Sequence, residues 1–292
     1  MRAGAARLQA LAAAVLFSTG GAGVKAAAFS GVQVSCLRSG IAALVLLVLL
    51  RGRLRISRAI LGVAIVYGGT LTLFVLATKL TTAANAIFLQ STYPLGVLLL
   101  APALLSERIR RRDLGYMAAV AIGLILCVAG RAIATTTAPN PALGNVFAIL
   151  SGVAWALTLL GLRYLEREVE GQGTAMAAVV TGNVFACLAG LPFIWPLPQA
   201  SAAEWATIVY LGVFQIGLAY VFLTKAVRRL PALEVSLLLL LEPVLNPVWA
   251  WLIHGEEPGG WTIAGGATIV AATAMKTAFE AYEARAPRPV AT

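Results

Sequence analysis

Apolar residues occupy this chain in ten runs of about 20 residues, each closed by a short polar, basic or Gly/Pro-containing connection. The runs lie near 7–27, 31–50, 59–79, 82–104, 113–131, 143–164, 174–196, 204–226, 232–253 and 260–278. A helix needs about 20 apolar residues to cross a bilayer core. The runs are apolar on all faces, whereas a transmembrane barrel strand alternates polar and apolar positions over about ten residues. The pattern therefore predicts an all-α polytopic membrane protein with ten transmembrane helices. Arg2, Arg7, an apolar core and the small residues Ala26–Ala28 give the first run the look of a signal peptide. Nine further spans follow it immediately, so it is read as a retained first span.

Two of the runs echo one another. Pro94 is followed thirteen residues later by Glu107, at the end of its run, and Pro243 thirteen residues later by Glu256. The offset between the copies is 149 residues, about half of the 292-residue chain. Phe17 with Trp155, and Lys25 with Arg163, match more loosely at an offset of 138. The predicted units are 1–135 and 142–280, five spans each, with a cytoplasmic tail at 281–292. Five is odd, so the second unit enters the membrane from the opposite side. Such an inverted-topology repeat points to a transporter, with the substrate site where the repeats meet.

Composition and charge sharpen this picture. Hydrophobic residues make up 60% of the chain and charged residues only 12%, against roughly 25% charged in a soluble domain. The formal charge of +10 would suggest nucleic acid in a soluble protein, but its distribution says otherwise. With the N-terminus inside, 18 Lys and Arg residues fall in cytoplasmic segments and only Lys25, Lys79 and Arg131 outside, with Arg38 inside span two. This asymmetry predicts both termini in the cytoplasm of a bacterial-type inner membrane. The basic face then meets anionic lipid headgroups, and no nucleic-acid partner is expected. Cys36, Cys127 and Cys187 fit no metal or disulfide spacing and read as packing residues.

The ten spans, the 5+5 halves, Arg38 near the start of span two and the paired Pro-x12-Glu spans resemble the drug/metabolite transporter superfamily, EamA type. Residues 212–258 are especially similar to that family's second half, and the resemblance covers essentially the whole chain. Within the family it is most similar to YddG-type exporters of aromatic and other neutral amino acids. The resemblance implies a cavity between the two repeats that opens alternately to either side.

Polar groups at membrane depth need a partner or a water-filled cavity. Glu242, near the middle of span nine, is the most informative. A carboxylate there is neutral or paired, because burial disfavours its charged form. It either faces a proton or a substrate ammonium, or is held as a structural link beside Pro243. Asn246 and Trp249 share its face. Gln90 and Tyr93 occupy the matching part of span four, with Gln215 in span eight. Trp155 and Thr158 in span six, Phe17 and Ser18 in span one, and Tyr67 and Tyr220 supply aromatic and hydroxyl surface at similar depth. Pro94 and Pro243 are candidate hinges. Arg38, Asn183, Glu107 and Glu256 are expected as structural polar residues: Arg38 attracts a carboxylate, pairs with Glu234 or another carboxylate, or snorkels outward, with a structural role favoured over substrate contact, and the two glutamates tie span ends.

Apolar walls with a few amides and hydroxyls suit a zwitterion with an apolar side chain and suit a phosphorylated sugar badly. The single histidine, His254, excludes multi-His metal centres, and neither a P-loop nor a nucleophile–base pair is evident. The sequence thus predicts no enzyme, no metal, no cofactor and no obligate protein partner. It predicts a secondary exporter of small neutral amino acids or related metabolites, with protons as a candidate co-substrate. The alternatives are an exporter of other drugs or metabolites, or a membrane scaffold without flux, for which the short loops offer little surface.

Overall fold

The computed structural model describes residues 2–50, 54, 56–93, 95–96, 99–100, 111–129, 135–168, 173–227, 238–239 and 241–285. Pro94 and Glu107 lie outside the described residues. No β-strand occurs among the described residues. The helices are α1 (Arg2–Ser18), α2 (Gly20–Ala26), α3 (Gly31–Leu49), α4 (Arg58–Leu80), α5 (Ala83–Gln90) and α6 (Arg111–Ala129). In the second half they are α7 (Pro141–Glu168), α8 (Thr174–Gly190), α9 (Ala202–Tyr210), α10 (Ala219–Val227), α11 (Leu241–His254) and α12 (Gly260–Arg285). A π-helical segment, Leu211–Leu218, joins α9 to α10. Five described stretches are long and apolar enough to cross a bilayer: Gly31–Leu49, Arg58–Leu80, Pro141–Leu162, Thr174–Phe193 and Ala202–Ala226.

The halves interleave rather than sit side by side. Span three (α4) packs on spans six and seven (α7 and α8), and span eight (α10 and the π segment) packs on spans one and two (α1 and α3). Span four (α5) meets span six, and span nine (α11) meets span one. Spans two and seven pair with each other, as do spans five and ten. Exchanging each span for the one five later maps this set of pairings onto itself.

Small residues allow the closest crossings. A Cβ on Gly182 of α8 would stand 2.5 Å from the Tyr67 ring and 2.6 Å from the Ala64 carbonyl of α4. Where spans five and ten cross, a Cβ on Gly265 would meet the Gly123 carbonyl at 2.5 Å. Cys36 and Cys187, both reduced, face each other across spans two and seven with their sulfurs 3.7 Å apart. Sequence spacing gave no sign of this pair, because tertiary packing alone brings positions 151 residues apart together.

The outside of the bundle is apolar. Leu44, Val48, Ile65 and Leu188 are more than half exposed, the inverse of a water-soluble surface. Trp195, Trp205, Trp251 and Trp261 are also exposed, at span ends that the charge alternation assigns to a single side, where an interfacial aromatic belt belongs.

Overpacking a close crossing costs about 1–3 kcal/mol, so Gly182→Ala is expected to lower stability by that order. Gly69→Ala, whose Cβ would meet nothing within 4 Å, should be neutral. Thermal unfolding of the two purified variants checks the difference.

Candidate functional site: a central cavity at four helix irregularities

Four spans depart from regular α-helix at the depth of a central cavity. In span one, Ser18 Oγ donates to the Val15 carbonyl (2.7 Å) and Thr19 Oγ1 to the Leu16 carbonyl (2.7 Å). Such side chains compete with the backbone ladder, and the helix breaks between α1 and α2. In span four, Thr92 Oγ1 donates to the Leu89 carbonyl at 2.7 Å, and α5 ends in a turn at Ser91–Thr92. Span eight carries the π segment, a feature that recurs at functional sites. In span nine, Pro243 occupies the first turn of α11, where its missing N–H has no helical partner; the proline inside the helix is Pro247.

Residues at these irregularities line the cavity: Phe17, then Gln90, Ser91 and Tyr93, then Gln215 and Ile216, then Glu242 and Pro243. Arg38, Trp155 and Tyr220 add to its polar and aromatic wall. Phe17 meets Tyr220 edge-on at 5.1 Å, and Tyr93 meets Trp155 edge-on at 6.3 Å. Gln90 Nε2 donates to Ser151 Oγ at 2.7 Å, and Ser151 Oγ donates to the Thr70 carbonyl at 3.2 Å. Glu242 is half-buried and makes no hydrogen bond or ion pair among the described residues. Arg38 is 1% exposed and donates to Gln215 Oε1 (3.3 Å) and the Leu71 carbonyl (3.2 Å).

The remaining candidates stand behind this wall. Thr158 is fully buried, its hydroxyl 3.2 Å from that of Thr70, which does line the cavity. Tyr67 is fully buried, edge-on to Tyr220 at 5.4 Å, and accepts a hydrogen bond from Asn183 Nδ2 at 3.3 Å. Ser18 accepts from Trp249 Nε1 at 3.0 Å, tying span nine to the break in span one. Asn246 is fully buried against Gly21, where a Cβ would approach its Oδ1 to 2.3 Å. Helical spacing put Asn246 on the face of Glu242, but that face packs against α1 and α2 below its first turn. Thr70, Leu71, Phe74, Ile269, Val270 and Thr273, from spans three and ten, line the cavity unannounced by the sequence. They are ordinary residues of apolar helices, and only tertiary packing distinguishes them.

One end of the bundle holds a buried charge cluster. Lys25 and Glu256 form an ion pair at 3.1 Å with side chains 3% and 5% exposed. Lys25 Nζ also donates to the Thr81 carbonyl at 2.9 Å and to the Thr137 carbonyl. Glu256 accepts from the Ala83 amide at 3.0 Å, placing its carboxylate on the N-terminus of α5, where free amides and the helix dipole favour an anion. The cluster joins four connections that the charge alternation assigns to one side. Lys25 lies eight residues beyond Phe17, past the break at Thr19.

The sequence profile of the EamA-like transporter family matches residues 5–129 and 142–277. The chain belongs to the EamA-like transporter family. It is 28% identical over 191 residues to the pseudopaline exporter CntI of Pseudomonas aeruginosa, a stretch covering 65% of this chain and 64% of that exporter's length. It is 24% identical over 238 residues, 77% of each chain, to the uncharacterized transporter YyaM of Bacillus subtilis. A crystal structure with 22% sequence identity shares the fold at a TM-score of 0.65, over 96% of this chain and 99% of the other. Family and apolar helices together make this EamA-like transporter an integral membrane protein.

Removing one partner of a buried ion pair costs about 3–5 kcal/mol. Glu256→Gln is therefore expected to lower the melting temperature markedly, and Lys25→Met/Glu256→Gln to recover part of the loss. Unfolding curves of the single and double variants in one detergent check this.

Proposed function

We propose that this EamA-like transporter exports small neutral amino acids, aromatic and other apolar ones, or closely related metabolites. Transport proceeds by alternating access of the central cavity, across the inner membrane and with both termini cytoplasmic. The observation that carries this reading is the cavity wall. It combines the aromatic surface of Phe17, Trp155 and Tyr220 with two amides, one acid and one base. Such a wall matches an uncharged-overall solute with an apolar side chain and two polar poles. The spans contributing it come from both halves, so rocking one half against the other would expose it to each side in turn. The similarity to a named exporter supports the outward direction, and the basic-residue asymmetry supports the orientation. Exporters of other metabolites would use the same cavity with different side chains at these positions.

Counterflow in proteoliposomes tests the reading. Internal unlabelled leucine or phenylalanine is expected to accelerate uptake of labelled L-phenylalanine. A protein that exchanges no neutral amino acid from a mixed panel sinks it. Trp155→Ala should weaken apparent affinity for aromatic substrates by up to about ten-fold, the size of one lost aromatic contact. Glu242, the acid of the wall, is the group available to take a proton from the cavity. Glu242→Gln is expected to flatten the pH profile of exchange; an unchanged profile leaves Glu242 a packing residue and transport a downhill exchange.

A further inference from the structure

We infer that Arg38, positioned by Gln215, is the subsite that takes the substrate's carboxylate; this rests on the central cavity being the transport site. Arg38 lines the cavity and is 1% exposed. A guanidinium has five N–H donors. Here Nη1 donates to Gln215 Oε1 at 3.3 Å and Nη2 to the Leu71 carbonyl at 3.2 Å, both neutral acceptors and both long bonds. Nε has no partner. Among the described residues no carboxylate lies within ion-pair distance of Arg38, and Glu242 of the same cavity is not bonded to it. A cation buried in a membrane protein without a counter-ion is costly. An arriving anion supplies the missing charge and accepts the spare donors, and a planar carboxylate fits the guanidinium fork in two-point geometry.

The local architecture serves this role. Gln215 sits in the π segment, and its Oε1 faces Arg38 of span two. A Cβ on Gly20 would come within 2.8 Å of the Gln215 Nε2, and one on Gly212 within 2.8 Å of the Arg38 carbonyl, so two glycines permit the approach. Tyr220 lines the same cavity as Arg38 and Glu242 and meets Phe17 edge-on, so aromatic surface shares the cavity with the cation where an apolar side chain would lie. The ligand class is a carboxylate-bearing small molecule with an apolar body, recognised by its acid group.

The test is equilibrium binding to the purified full chain, read by tryptophan fluorescence and thermal shift. The probes are L-phenylalanine, phenylacetate and L-phenylalaninamide. Both carboxylates are expected to bind at least ~ten-fold more tightly than the amide, the scale of one charge-assisted contact. Arg38→Gln should erase the preference and Arg38→Lys retain part of it. Because Arg38→Gln could unfold the protein, Gln215→Glu provides a second reading. It places an internal carboxylate beside the guanidinium, so the melting temperature should hold or rise while carboxylate binding is lost. Equal binding of acid and amide, no binding of either acid, or a Gln215→Glu protein that still prefers carboxylates overturns the inference. Carboxylate binding without amino-acid counterflow would sink the export reading alone and leave the subsite standing.

Discussion

In a bilayer core every backbone N–H and C=O must find a partner within the protein, because lipid offers none. That constraint organises this molecule. Regular helix satisfies it anywhere, so spans two, three, six and seven run unbroken through their apolar segments. A break in the ladder is tolerable only where side chains or a cavity take over. The Ser18, Thr19 and Thr92 hydroxyls cover carbonyls at two breaks, and the π segment of span eight redistributes its own bonds. These irregularities gather around one space, and the irregular spans turn Gln90, Gln215 and Glu242 into it.

The regular spans and the irregular ones divide the labour. Glycine-mediated crossings, such as Gly182 against Ala64 and Tyr67, hold the unbroken helices close enough to form a scaffold. The broken spans lean on that scaffold through a small number of specific bonds. Trp249 to Ser18 ties span nine to span one, and the Lys25–Glu256 cluster ties the same two spans to two further connections. These contacts are few and polar beside the apolar packing. The pairing of spans repeats under exchange of the halves.

The chemistry of the cavity follows from the same economy of polar groups. The acid, the base and the two amides on its wall stand among aromatic and aliphatic side chains, and a buried charge among them is costly without a partner. Arg38 shows this most clearly, with a nearly inaccessible guanidinium held by neutral acceptors at the long end of hydrogen-bond range. The outer surface presents leucines, valines and isoleucines to lipid.

The apolar runs and the basic residues between them could be read from the sequence alone, and the runs reappear as helices among the described residues. Each reports a property that the bilayer imposes on single residues: apolarity along a span and charge at its ends. The cavity was partly legible for the same reason. An amide, a carboxylate or an aromatic ring stands out in an apolar run, as Gln90, Gln215, Glu242 and Trp155 did. Tertiary structure alone decided which of those residues reach the cavity. It sent Asn246 to Gly21, Thr158 behind Thr70 and Tyr67 behind Tyr220. It also set Arg38 into the cavity wall and placed the π register beneath Gln215. Helical spacing fixes which residues share a face, but neighbouring helices decide what that face meets, and the neighbours here come from the other half of the chain.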